Sequence, residues 1–153
     1  MTDKLDSFKV LPEEEYEVAR MLYERGKALG CKTVSKTRAD GYRVSFVKAN
    51  GRKTLFWMEA AKNALLLKAN LIHVDEYGDI MADCPDAVKK PLTTIKECEH
   101  CHPSCGSLHV PYHIDGVEYA PCYFKGPYFK RMSRDEWEFL WELIAAENGI
   151  GVP

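Results

Sequence analysis

Six cysteines sit in this chain of 153 residues, and three of them crowd into the segment Cys98-Glu99-His100-Cys101-His102-Pro103-Ser104-Cys105. With Cys122 the spacing reads C-x2-C-x3-C-x16-C. Two thiolates separated by two residues can wrap a tight turn around one ion, and zinc in structural sites takes four tetrahedral nitrogen or sulfur ligands. The expected centre is a closed zinc site of Cys98, Cys101, Cys105 and Cys122. Four thiolates leave no position for water, so the role is structural rather than hydrolytic. An iron–sulfur cluster also uses four cysteines, but the spacing matches neither common ferredoxin pattern and ranks second. Free thiols without metal are the plain alternative. Cys31 and Cys84 stand apart and read as small buried apolar side chains. Cys84 precedes Pro85 at a potential helix start, which would favour its thiolate. His73, alone in sequence, reads as structural.

A second chemistry is cationic. Between Arg25 and Lys53 there are nine basic residues, including Lys36, Arg38 and Arg43, and the only acid after Arg25 is Asp40. Asx-Gly between alternating apolar runs marks a two-residue hairpin turn. A turn at Asp40-Gly41 sets Arg38 opposite Arg43 and Lys36 opposite Ser45. Like charges in that relation repel, and a bound phosphate or carboxylate would relieve them. A turn at Asn50-Gly51 sets Phe46 opposite Leu55 and Val44 opposite Trp57 on the core face, leaving Arg43, Ser45, Val47, Phe56 and Met58 on the other. Lys36, Arg38, Arg43 and Phe56 are therefore the expected contacts for an anionic small molecule, and Arg43→Ala is expected to be neutral or stabilising without ligand. The plainer alternative is one solvated sheet face whose long cations keep it soluble. A second basic run, Lys125, Lys130, Arg131 and Arg134, lies beside Tyr128 and Phe129. Such a mixture suits single-stranded nucleic acid, or else a loop packed on the core with its charges in water.

The elements that must position these groups follow from pattern. Pro12 opens a helix to about Leu29, with Glu13, Glu14 and Glu15 at its positive end and Gly30 as its stop. Strands are expected near 32–38, 42–48, 53–59 and 64–70, the last with helical character as the alternative. Pro85 opens a short helix that Pro91 should end. Leu108 to Phe124 forms a hairpin turned at Asp115-Gly116, so Ile114 faces Val117, Tyr112 faces Tyr119 and His113 faces Glu118. The same register sets His109 beside Cys122 as an alternative ligand or an outer-shell donor. Ser133 and Glu136 form a capping box, with Met132 and Trp137 as its staple. The stripe Trp137, Leu140, Trp141, Ile144 then packs inward until Asn148-Gly149.

The fold class is thus α+β: an N-terminal helix, an antiparallel β-meander, a cysteine-rich metal-tied hairpin over 98–124 and a C-terminal helix. One domain over 1–153 is expected, with 1–10 as a flexible lead. The formal net charge of -2 gives no bulk push toward nucleic acid or anionic membrane. No run approaches the roughly 20 apolar residues of a membrane span, and MTDKLDSFKV lacks the apolar core of a secretory signal. A reducing cytoplasmic location, with thiols retained, is the expectation. Nucleotide-binding glycine loops and nucleophile elbows are missing, and Asp75-Glu76 reads as an exposed turn.

The tail built from Cys98, Cys101, Cys105, Gly106, Asp115 to Tyr119 and Cys122 to Phe124 resembles that of small uncharacterised proteins of Firmicute-type bacteria. The architecture is loosely similar to YdhG-type α+β domains, which lack the cysteine cluster. The resemblance implies no activity and carries over only the four cysteines as metal ligands. The leading expectation is a non-enzymatic module with a structural zinc that binds a small ligand or regulates. A cysteine-dependent redox protein or enzyme, and a metal sensor or carrier, are the alternatives.

Overall fold

The first helix forms where Pro12 presets the backbone and three glutamates meet the N-terminal dipole. In the computed structural model, which describes residues 4–38, 41–49, 53–61, 64–95, 111–119 and 127–150, α1 spans Glu13–Ala28. Leu29 and Gly30 close it by bonding back to Arg25 and Lys27, Gly30 at a φ of 89°. Lys4–Val10, expected within a flexible lead, forms a 3-10 helix that buries Leu5 and Phe8.

A meander follows: β1 (Lys32–Arg38), β2 (Gly41–Val47), β3 (Thr54–Ala61) and β4 (Ala64–Ala69). A later strand, β7 (Tyr128–Lys130), joins β4, giving a 5-stranded antiparallel sheet in the order β1-β2-β3-β4-β7. Between them lie 3-10 turns at Val74–Glu76 and Gly78–Asp83, helix α2 (Asp86–Thr93) and the two-stranded hairpin β5 (Tyr112–Ile114) and β6 (Val117–Tyr119). Helix α3 (Arg134–Gly149) ends the fold, and its Ser133–Glu136 capping box is present with both bonds. The chain is therefore α+β, with an antiparallel sheet and a helix toward each end.

One sheet face carries the core. Val44, Phe46, Phe56, Met58, Leu65, Leu67, Ala69 and Phe129 are buried there, against α1 and the stripe Trp137, Leu140 and Ile144 of α3. Phe46 and Phe56 stack at 4.3 Å, and Trp141 meets Phe56 edge-on at 6.0 Å. Gly26 lets α1 approach that stack, since a Cβ there would lie 2.6 Å from the Phe46 ring.

Two sequence registers need correction. Arg38 pairs with Gly41 and Lys36 with Arg43, so the connecting residues are 39 and 40 and Gly41 already belongs to β2. Arg38 and Arg43 are not partners. After Val47–Thr54 the β2–β3 ladder shifts, and Phe46 pairs with Phe56 rather than Leu55. One extra residue in β3 makes a bulge. It reverses the faces expected of Phe56 and Trp57: Phe56 and Met58 are fully buried, and Trp57 turns to the outer face. Pro91 also lies inside α2, two residues before its last residue, Thr93. Tyr128 to Lys130, with a loop as the plainer expectation, is an edge strand with Phe129 fully buried.

Candidate functional site

The outer sheet face is assembled by two rows across the strands. Val34, Ser45, Trp57, Lys68 and Tyr128 form one, and Lys36, Arg43, Glu59, Leu66 and Lys130 the other. The bulge brings Trp57 into the first row. The Arg43 guanidinium lies over the Trp57 ring at 3.7 Å, and the Trp57 and Tyr128 rings meet edge-on at 5.9 Å. Arg43 also holds Glu59 at 3.2 Å, where the carboxylate side chain is only 6% exposed. Its charge is thus taken by a protein partner, and the expected anion clasp of Lys36, Arg38, Arg43 and Phe56 does not form as such: Arg38 pairs with Gly41, Phe56 is in the core, and Lys36 is the exposed partner of Arg43.

What remains is a cationic, aromatic surface. Tyr128 is 43% exposed and Val34 56%, and Lys32, Lys36 and Lys130 are exposed. Among the described residues on these two rows, Glu59 is the single acid. At the β7 edge the surface runs into a cleft of about 420 Å³ between β7 and the end of α2, lined by Lys90, Thr94, Tyr128, Lys130 and Arg131 among others and, among the described residues, by no acidic side chain. Such a cleft accepts an anion by charge, while Tyr128 at its lip offers a ring face.

A second cluster is buried at the end of α3. Glu147 is 1% exposed. One carboxylate oxygen accepts from the backbone N–H groups of Ile72 and His73 at 3.0 and 2.8 Å and from the Tyr77 hydroxyl at 2.7 Å. The other accepts from His73 Nδ1 at 2.8 Å and lies 3.6 Å from Lys48 Nζ. Lys48 also donates to the Glu147 carbonyl at 3.2 Å. Every described donor here converges on one carboxylate, which makes the cluster a structural clamp among the ends of β2, β4 and α3. His73 is structural, as its isolation suggested. Lys48 and Glu147 were missed, although Glu147 sits at i+3 from Ile144 and continues the apolar stripe, which is the signal of a buried charge.

The two isolated cysteines are buried. Burial pushes the Cys84 thiol up to about 11, against a smaller opposing pull from Lys89. Cys31 is raised too, by burial against the Lys48 charge. Desolvation thus opposes the thiolate that a helix start would favour, and Cys84 is buried, as its reading as a small apolar side chain has it. Cys98, Cys101, Cys105, Cys122 and His109 lie outside the described residues, and among the described residues no cluster suited to a metal occurs. The flanks are placed. The pairs Tyr112–Tyr119, His113–Glu118 and Ile114–Val117 have the expected register, with positive φ at Asp115 and Gly116. The Tyr112 hydroxyl donates to the Leu92 carbonyl, joining the two ends of the segment that holds three of the cysteines. Asp75, read as a plain turn residue, accepts from the His113 backbone at 2.7 Å and from His113 Nδ1 at 2.9 Å.

Among the described residues no helix is long and apolar enough to cross a membrane. No protein-family model, curated protein or solved structure matches the chain.

Proposed function

We propose that the protein is a non-enzymatic binding module. Its ligand surface is the Trp57–Tyr128 row together with the cleft beside it, and Cys98, Cys101, Cys105 and Cys122 hold a structural zinc. The observation that carries the reading is the surface itself: an exposed tyrosine on an aromatic row, opening onto a cleft with Lys90, Lys130 and Arg131 and, among the described residues, no acid. A small planar molecule bearing phosphate or carboxylate suits both parts, stacking on Tyr128 and placing its charge in the cleft. Support for the zinc is the joined flank. With Leu92 and Tyr112 already in contact, part of the entropy of closing the intervening loop is spent before any ion arrives.

Adenosine monophosphate and inorganic phosphate test the ligand reading by calorimetry. Millimolar or tighter binding of the nucleotide, weakened in Arg131→Ala and Tyr128→Ala, supports it, and no binding of either probe sinks it. Elemental analysis tests the metal. About one zinc per chain, lost together with thermal stability in Cys101→Ser, is expected. A metal-free protein with reactive thiols would favour cysteine redox chemistry instead.

A further inference from the structure

We infer that the natural occupant of the outer face is single-stranded nucleic acid, read along the sheet from β7 toward β1. The inference rests on the binding surface proposed above and names its substrate class. The first observation is extent. Cations occur on both edges and between them: Lys130 on β7 with Lys90 and Arg131 in the adjoining cleft, Lys68 on β4, and Lys36 and Lys32 on β1. At about 4.8 Å between neighbouring strands, the outermost two lie about 19 Å apart. One phosphate cannot meet both edges, whereas a chain of phosphates can.

The second observation is the planar groups on the same face. Tyr128 presents an exposed ring, and the Arg43 guanidinium is held flat by Trp57 on one side and by Glu59 at its nitrogens. Bases stack on tyrosine rings and on guanidinium planes alike, and stacking tolerates any base. A duplex presents its bases edge-on and is excluded from such stacking. The third observation is that the overall charge of -2 gives no bulk attraction, so binding must come from this local strip. Glu59 is the one acid among the described residues of the strip and is committed to Arg43.

Fluorescence anisotropy with labelled dT10 tests the inference, with dTMP, a dA10·dT10 duplex and inorganic polyphosphate as competitors. We expect dT10 to bind at least tenfold tighter than dTMP and to resist polyphosphate and duplex. Tyr128→Ala, at an exposed position, should weaken dT10 about tenfold, Tyr128→Phe should restore it, and Lys36→Glu on the far edge should weaken dT10 but not dTMP. The affinity should fall as salt rises. Equal affinity for dTMP and dT10 would overturn the single-strand inference and leave the small-ligand reading standing. Competition by polyphosphate as effective as dT10 would also overturn it, by showing binding without stacking. Absence of binding by dTMP, dT10 and adenosine monophosphate alike would end both.

Discussion

Arg43 shows how one side chain changes meaning with its neighbours. Read as one of two opposed arginines, it should be dispensable. In the fold it is the partner of Glu59, a carboxylate 5% exposed as a residue. Arg43→Ala should therefore destabilise by about 1–3 kcal/mol, the cost of leaving a buried polar group unpaired. A urea denaturation midpoint unchanged from the parent would count against that. Cys84 makes the complementary case. Its thiol, pushed up to about 11 by burial, should react slowly with iodoacetamide at pH 8 in the native protein and rapidly after denaturation. Peptide mapping by mass spectrometry distinguishes the two states, and rapid native labelling would contradict the burial argument. The burial of Cys84 was the expectation from sequence, whereas the partner of Arg43 was not legible, because pairing is set by residues distant along the chain. Glu147 was closer to legible, since an acid in phase with Trp137, Leu140 and Ile144 is anomalous wherever the helix packs.

At the scale of elements, short-range signals carried well where they were complete. The Ser133–Glu136 box, the Pro12 start and the Asp115-Gly116 turn all act as the pattern implied. The meander strands were legible as elements but not in register. One glycine served as the first strand residue instead of the turn, and one bulge reversed a face, and neither leaves a compositional trace. The three-residue β7 was too short for alternation to be visible. The β5–β6 hairpin carries a pH dependence that follows from its contact with Asp75. The bond to Asp75 raises the His113 imidazole, with Glu118 adding a weaker pull at 3.7 Å, and the same bonds lower Asp75. A raised histidine stabilises fully below its unfolded value near 6.5 and loses that contribution as pH rises through its folded value. A lowered aspartate stabilises above its unfolded value near 3.8 and loses it as pH falls through its folded value. The pin is therefore strongest between these two unfolded values. An NMR titration should give His113 an apparent pKa above 6.5 that drops back in Asp75→Asn. Identical titrations of the two proteins would remove the pin.

At the scale of the molecule, the α+β class was legible because helix and strand periods alternate with clear punctuation, and packing those amphipathic faces leaves few arrangements. The proposed binding surface was not, because it depends on β2, β3, β4 and β7 lying side by side. Whole-chain integrity is also where Glu147 belongs. It ties the last helical turn to the segment after β4 and to the end of β2. Glu147→Gln turns an amide toward donors on Lys48 or His73, and about 3 kcal/mol of global stability should be lost. Adding Lys48→Met should recover part of it, because the unpaired charge is then gone. Chemical denaturation checks both steps, and a loss no larger than that of an exposed glutamate would show that the clamp contributes little.

The hydrogen bond between the Tyr112 hydroxyl and the Leu92 carbonyl has a practical corollary. Leu92 and Tyr112, 20 residues apart along the chain, thus lie at one point of the body. Residues 96–110 should therefore be replaceable by a short glycine-serine bridge with the sheet and α3 still folding. Three of the cysteines would leave as one cassette, portable in principle to another host with a similar gap, and the remaining body could be assayed for its own ligand free of any metal.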